Sequence, residues 1–286
     1  MALGRFRLRP YVWIGPALAF VAALKFYPIL FSTSLSFFNW NVFQPHPFGR
    51  FAGLANYVEL ARDAAFLGAL QHTLLYTLSG ITLQLGLAYG LAVFFYLGDF
   101  AGASTLRGIL FFPGVLSAVL VGQVWRIFVF LRGGLIHRVT TAAGWANVFL
   151  LPKYAFPIVV GIGLWQFVGF NLVIFYAGLQ SLDRNLLEAA QIDGAGFWQL
   201  IRFIITPLQR RTMLLVAMLN VIAAVQLFDL PRVIGGNVLA TYLVQQSFGG
   251  GLAGRLGYAS GIATVMIAVM LIFAWLREQA ARAIAD

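Results

Sequence analysis

Residues Glu188–Pro207 read EAAQIDGAGFWQLIRFIITP, directly after QSLDRNLL at residues 180–187. Asp183 stands where it can cap a helix beginning near Arg184, its carboxylate accepting from first-turn N–H groups that have no other partner. Leu187, Ala190 and Gln191 then share one face, being three and four residues apart. Gly194-Ala195-Gly196 interrupts that helix, because glycine readily takes the positive φ of a sharp turn. A second short amphipathic stretch, Phe197–Ile205, runs into Pro207, a favourable first residue for a following helix. Asp183, Glu188 and Asp193 are three of only nine acids in the chain, so the spacing predicts an unusually acidic helix–turn–helix over residues 180–206. Two readings of it stay open at this level: a loop anchor lying at a membrane surface, or a surface presented to a partner.

What flanks the stretch decides its setting. A bilayer core of about 30 Å takes around 20 mostly apolar residues in helical form. Six runs qualify, at residues 12–37, 68–97, 108–131, 154–179, 207–228 and 257–276. Of the 286 residues, 61% are apolar and 10% charged, against roughly 25% charged in an average soluble domain. So few charges do not cover a soluble fold of this length. The fold class expected is an all-α polytopic membrane protein with six transmembrane helices. The first run is too long, and contains too much proline (Pro16, Pro28), for a cleaved signal peptide. Those prolines predict a bent first span.

Six spans place both termini on one side, and Arg5, Arg7 and Arg9 argue that this side is cytoplasmic. Residues 1–11 then form a cytoplasmic N-terminal segment, 12–276 the membrane domain, 180–206 an inner loop and 277–286 a cytoplasmic tail. With that orientation ten basic residues fall inside and eight, including Arg132 and Lys153, outside, so the orientation leans on the N-terminal cluster. The net charge of +10 reads as attraction to anionic lipid rather than to nucleic acid, since no basic stripe interleaved with exposed aromatics is present. There is no cysteine, the three histidines are far apart, and neither lysine, Lys25 or Lys153, sits in a phosphate-binding GxxxxGK[ST] loop. No metal site, no catalytic constellation and no cofactor is expected in the chain itself.

Amides inside spans are costly unless they face a partner or a cavity. Gln84, Gln123, Gln166, Asn171, Asn220 and Gln226 are such residues. Amides that bond hydroxyls, beside aromatic rings that stack on a pyranose face, are what sugar recognition needs. Gln166, Phe170 and Asn171 supply both within two turns, and Asn220 and Gln226 add amides among small residues. These five are the candidate pathway residues; interhelical hydrogen bonding is the competing reading for each. Gln84, with Gly86 and Gly90, reads as helix packing. Lys25, the one charge deep in the first span, has room to snorkel or to meet a carbonyl freed by Pro28.

With these residues in place, the sequence resembles the permease subunits of type I ATP-binding-cassette importers. Glu188-Ala189-Ala190, Gly194, Ile204 and Pro207 stand as in that family's EAA signature. AGLQSLD at Ala177–Asp183, YPILFSTSLSFFNW at Tyr27–Trp40, GLANYVEL at Gly53–Leu60 and RLGYASGIAT at Arg255–Thr264 are similar to its carbohydrate-uptake branch, which handles sugars and glycerol phosphates. Thr206 stands where leucine is usual, and VIGGNVLATYLVQQSF at Val233–Phe248 where a longer Gly-Gly-Pro stretch is common.

The resemblance implies the type I permease fold in a prokaryotic cytoplasmic membrane. It implies pairing with a second homologous permease, above two copies of a cytoplasmic ATPase that bind ATP and Mg. An extracytoplasmic solute-binding protein would deliver a sugar or sugar-like polyol. Glu188, Ala189, Ala190, Asp193 and Gly194 would couple this chain to the ATPase. The alternative, an ion-coupled secondary transporter, would need a carboxylate relay, and no two acids share a span.

Overall fold

The computed structural model describes residues 9–41, 43–46, 48–98, 100–130, 134–144, 154–249 and 254–285. Arg5, Arg7, Arg132 and Lys153, on which part of the orientation argument rests, lie outside them. Among the described residues five helices are long and apolar enough to cross a membrane, and six if one bent pair counts as a single span. Helices satisfy every backbone hydrogen bond within one segment, as hydrocarbon demands. The chain divides into two compact units, Met1–Asp63 with Leu243–Ile267, and Ala64–Tyr242 with Ala268–Asp286.

In the first unit, α1 (Trp13–Leu35) is one helix despite its two prolines. A wider π turn over Ala22–Phe26 precedes Pro28, and Lys25 lies exposed within it. The segment between α1 and the next apolar run is ordered by polar clamps. Asn56 Nδ2 donates to the carbonyls of Ser36 (2.7 Å) and Phe38 (3.1 Å), and Phe38 forms an antiparallel bridge with Phe51. Asn56 belongs to α2 (Ala55–Arg62). Within the same unit Arg255 pairs with Glu59 at 2.6 Å and the Tyr258 hydroxyl donates to Asp63 at 2.5 Å, fastening α2 to the residues that open the last helix.

The second unit begins with α3 (Ala64–Leu97), four residues earlier than its apolar run suggests, and carries a π turn at Gly80–Gln84. Next come α4 (Ala103–Val115) and α5 (Ala118–Phe130). The sequence predicts one span here; the structure bends it by 94°. Pro113 weakens the helix, Leu116 leaves it with ψ 144°, and the Ser117 carbonyl starts the next one by accepting from Val121 N–H at 3.0 Å. Then follow α6 (Leu135–Ala142), α7 (Ala155–Gln180), α8 (Arg184–Ile192) and α9 (Phe197–Leu208). Pro207 was expected to open the fifth span, but it lies inside α9, where the widened π turn at Leu200–Ile205 accommodates it. The long apolar helix starts instead at Arg210, as α10 (Arg210–Val225).

Between the fifth and sixth apolar runs stand α11 (Asp229–Ile234) and α12 (Leu239–Phe248), separated by Gly235 at φ +103°. The last helix is α13 (Leu256–Ala285). α7 is central to the second unit. α3 and α4 both pack along it, and the close approach of α4 needs Gly169, where a Cβ would collide with the Leu110 carbonyl. Leu85, Ala88, Ala92, Leu172, Phe175 and Leu179 form the core of that contact. The glycines assigned to helix packing do not do that job within the chain: a Cβ on Gly86 or Gly90 meets nothing within 4 Å. Both lie on the exposed side of α3, while Gln84, two residues from Gly86, is buried on the other.

Candidate functional site

The acidic turn forms as its spacing predicts. Asp183 accepts from Asn185 N–H at 3.0 Å and α8 begins at the next residue, Arg184. Leu187 is the one buried residue of α8 and enters the same apolar core as Leu179, Leu200 and Ile205, so a single side chain holds the helix down. At its far end Ala195 N–H donates to the Ala190 carbonyl (2.9 Å) and Gly194 N–H to Gln191 (3.0 Å), a closure that requires the left-handed φ of +86° at Gly194. Gly196 N–H donates to Gln199 Oε1 at 2.8 Å and starts α9.

Glu188, Ala189, Asp193 and Gly194 are exposed on this turn and Ala190 is half-buried, so the five residues expected to couple stand on one projecting element. Sequence reasoning missed its apolar half. Ile192 is 86% exposed and Trp198 77%, on either side of Gly194. The signal for Ile192 was present: it sits off the face of α8 that Leu187 defines, where a folded chain standing alone would place a polar residue.

The pathway candidates separate into two groups. A cavity of about 240 Å³ within the second unit is lined by Tyr76, Gln84, Phe170, Asn171 and Asn220, with glycine, alanine and leucine filling the gaps. Asn171 and Asn220 donate to each other, each at 3.2 Å, and Asn220 also donates to the Val216 carbonyl at 2.9 Å. Their amide planes are therefore fixed, with acceptor capacity remaining. Gln84 is 4% exposed, and its Nε2 has no partner among the described residues. Among the described residues no charged side chain lines this cavity.

Gln166 and Gln226 stand elsewhere. Gln166 Nε2 donates to the Leu116 carbonyl at 3.1 Å, satisfying an acceptor released by the 94° bend. Gln226 is exposed, with Nε2 3.9 Å from the Met270 sulfur. The structure thus brings Phe170, Asn171 and Asn220 together and adds Tyr76, which sequence reasoning did not single out, and Gln84, which it read as helix packing. Trp165, next to Gln166 on α7, packs edge-on against Trp125 with ring centroids 5.8 Å apart. Groups able to hold a metal ion are absent among the described residues.

Comparison with known proteins points the same way. The family described as "Binding-protein-dependent transport system inner membrane component" matches residues 6–286. The Osmoprotective compounds uptake permease protein GgtC of Synechocystis sp. is 30% identical, over 91% of this chain and 94% of its own length. The Lactose transport system permease protein LacF of Rhizobium radiobacter is 25% identical, over 95% and 93%. Among solved structures, a chain of a bacterial alginate ABC transporter, crystallised with an alginate pentasaccharide-bound periplasmic protein, superposes with a TM-score of 0.78. It is 20% identical and covers 96% of this chain and 94% of its own, a likeness of fold.

Proposed function

The chain belongs to the binding-protein-dependent transport system inner membrane components, and on that footing we propose that it is the permease subunit of an ATP-driven ABC importer for a sugar or sugar-like polyol. It is a multi-pass membrane protein, and as a permease it is not itself the ATPase. Hydrolysis then belongs to two copies of a cytoplasmic ABC ATPase, which bind ATP and Mg. A second homologous permease completes the pore, and an extracytoplasmic solute-binding protein delivers the solute. The setting is a prokaryotic cytoplasmic membrane with both termini inside. An ion-coupled secondary transporter finds no support.

One observation supports the reading: Glu188, Ala189, Asp193 and Gly194 are exposed on a capped acidic turn that Leu187 anchors to the core. Glu188, Ala189, Ala190, Asp193 and Gly194 are the coupling residues in this proposal. The small alanines let α8 sit deep in a groove on the ATPase, and Glu188 meets a basic residue there, fixing register as well as affinity. The carbohydrate assignment draws on the relatives' substrates and on the cavity, whose neutral amides and Phe170 ring suit hydroxyls and a pyranose face. Gln166 and Gln226 do not line that cavity and enter this proposal as pathway contacts outside it. Glu188→Lys tests the coupling. In the reconstituted importer it should leave the permease inserted and paired while the ATPase dissociates or hydrolyses without uptake. Full uptake with normal ATPase retention would overturn the assignment.

A further inference from the structure

A second cavity, of about 530 Å³, opens in the second unit where α3 ends and α8 begins. Its wall carries Tyr96, Ser104, Arg107, Tyr176, Arg184 and Glu188. The Arg107 guanidinium lies 4.0 Å above the Tyr176 ring and 5.8 Å from that of Phe95. A guanidinium held by its flat face keeps its N–H edge free and preorganised. Arg184, the first residue of α8, is exposed. Among the described residues the ion pairs are Arg255–Glu59, Arg277–Glu278 and Arg282–Glu278, so neither cavity arginine has a carboxylate within 4 Å. Glu188 shares the wall but is paired with neither.

Two guanidinium groups against a single carboxylate leave this wall with a net positive charge that attracts an anion. The Ser104 hydroxyl and the first turn of α4, which Gly102 caps without a side chain, add donors of the same polarity. A forked, donor-rich wall of this kind matches the oxygens of a phosphate group. Position indicates which phosphate. Tyr96 is in the last turn of α3 and Tyr176 near the end of α7, so the cavity sits where two apolar spans reach the headgroup layer. From there α4 leads away with Leu106, Ile109 and Phe112 exposed, an apolar strip that acyl chains can cover.

We infer that this cavity binds the phosphate of an anionic phospholipid headgroup, bridging Arg107 on α4 and Arg184 on α8. The lipid thereby steadies the acidic turn from behind. The inference goes beyond the permease reading and stands on the cavity alone.

The test uses the full chain, purified with its co-assembling subunits, stripped of lipid in detergent and titrated with phosphatidylglycerol, phosphatidylcholine or inorganic phosphate. Native mass spectrometry counts the adducts. Phosphatidylglycerol should occupy one site at a concentration roughly tenfold or more below phosphatidylcholine, and Arg184→Gln and Arg107→Gln should each erase the preference. Arg184 is exposed, so its variant reads the charge without disturbing packing; Arg107→Lys, which keeps the charge, should retain part of the preference. Equal binding of the two lipids, or an unchanged preference in Arg184→Gln, overturns the inference. So does arginine-dependent binding of inorganic phosphate without lipid preference, which makes a free phosphate the ligand. Loss of the ATPase subunit in Arg184→Gln with lipid binding intact also overturns it, since an acidic protein partner then fills the cavity.

Discussion

Gln84 and the Asn171–Asn220 pair meet the same cavity with opposite hydrogen-bonding states. The asparagines satisfy each other, whereas the Gln84 Nε2 is buried and unpaired among the described residues. A buried donor left without an acceptor costs roughly 1–3 kcal/mol, which an entering hydroxyl recovers. Gln84→Leu should therefore lower uptake by about tenfold, the equivalent of 1.4 kcal/mol, while leaving thermal stability equal or slightly higher. A loss of stability with unchanged uptake would make Gln84 a structural residue instead. Asn171→Leu and Asn220→Leu should each destabilise, because each strands the other amide, and the double variant should cost less than their sum. At this scale the sequence was legible for type and not for direction. It marked six intramembrane amides and passed over Gln71 and the buried Gln209, and it could not tell that positions 84 and 86 lie on opposite sides of α3. Which side a neighbouring helix covers is set by residues more than a hundred positions away, such as Asn220.

The broken pair α4–α5 and the acidic turn show where elements can and cannot be read in advance. The turn was legible because its signals are local: Asp183 caps the next residues, and Gly194 supplies a positive φ that side chains resist. The bend was not, because residues 108–131 are apolar enough as a whole to read as one span, and the local breakers Pro113 and Gly114 are also tolerated inside straight spans. What stabilises it is remote, the Gln166 amide on α7 taking the Leu116 carbonyl at 3.1 Å. Gln166 is 1% exposed. Gln166→Leu should then lower the unfolding temperature of the detergent-purified chain, by a cost of about 1–3 kcal/mol for the stranded carbonyl. Gln166→Met, which keeps a similar volume but has no donor, should be no better than leucine. Unaltered stability in both would mean that water or relaxation satisfies Leu116, and would return Gln166 to the transport pathway.

For the whole molecule, helical class followed from the solvent: a chain with 61% apolar residues and 10% charged has no water-soluble solution, and lipid admits helices. Orientation is a separate question, because ten basic residues against eight is a narrow margin, and the N-terminal arginines that tip it lie partly outside the described residues. It can be decided without reference to that count. The chain has no cysteine, so single replacements report against no background. Ile192, beside the acidic turn, and Phe43, in the segment after α1, are 86% and 75% exposed, and replacing either removes no packing. In intact cells a membrane-impermeant maleimide should label Phe43→Cys and spare Ile192→Cys, and after permeabilisation it should label both. The reverse pattern would put Glu188 and Gly194 on the face that no ATP-hydrolysing subunit can reach. A turn there could not transmit hydrolysis to the pore, however well its geometry fits a groove, so orientation is the condition on which the coupling role depends.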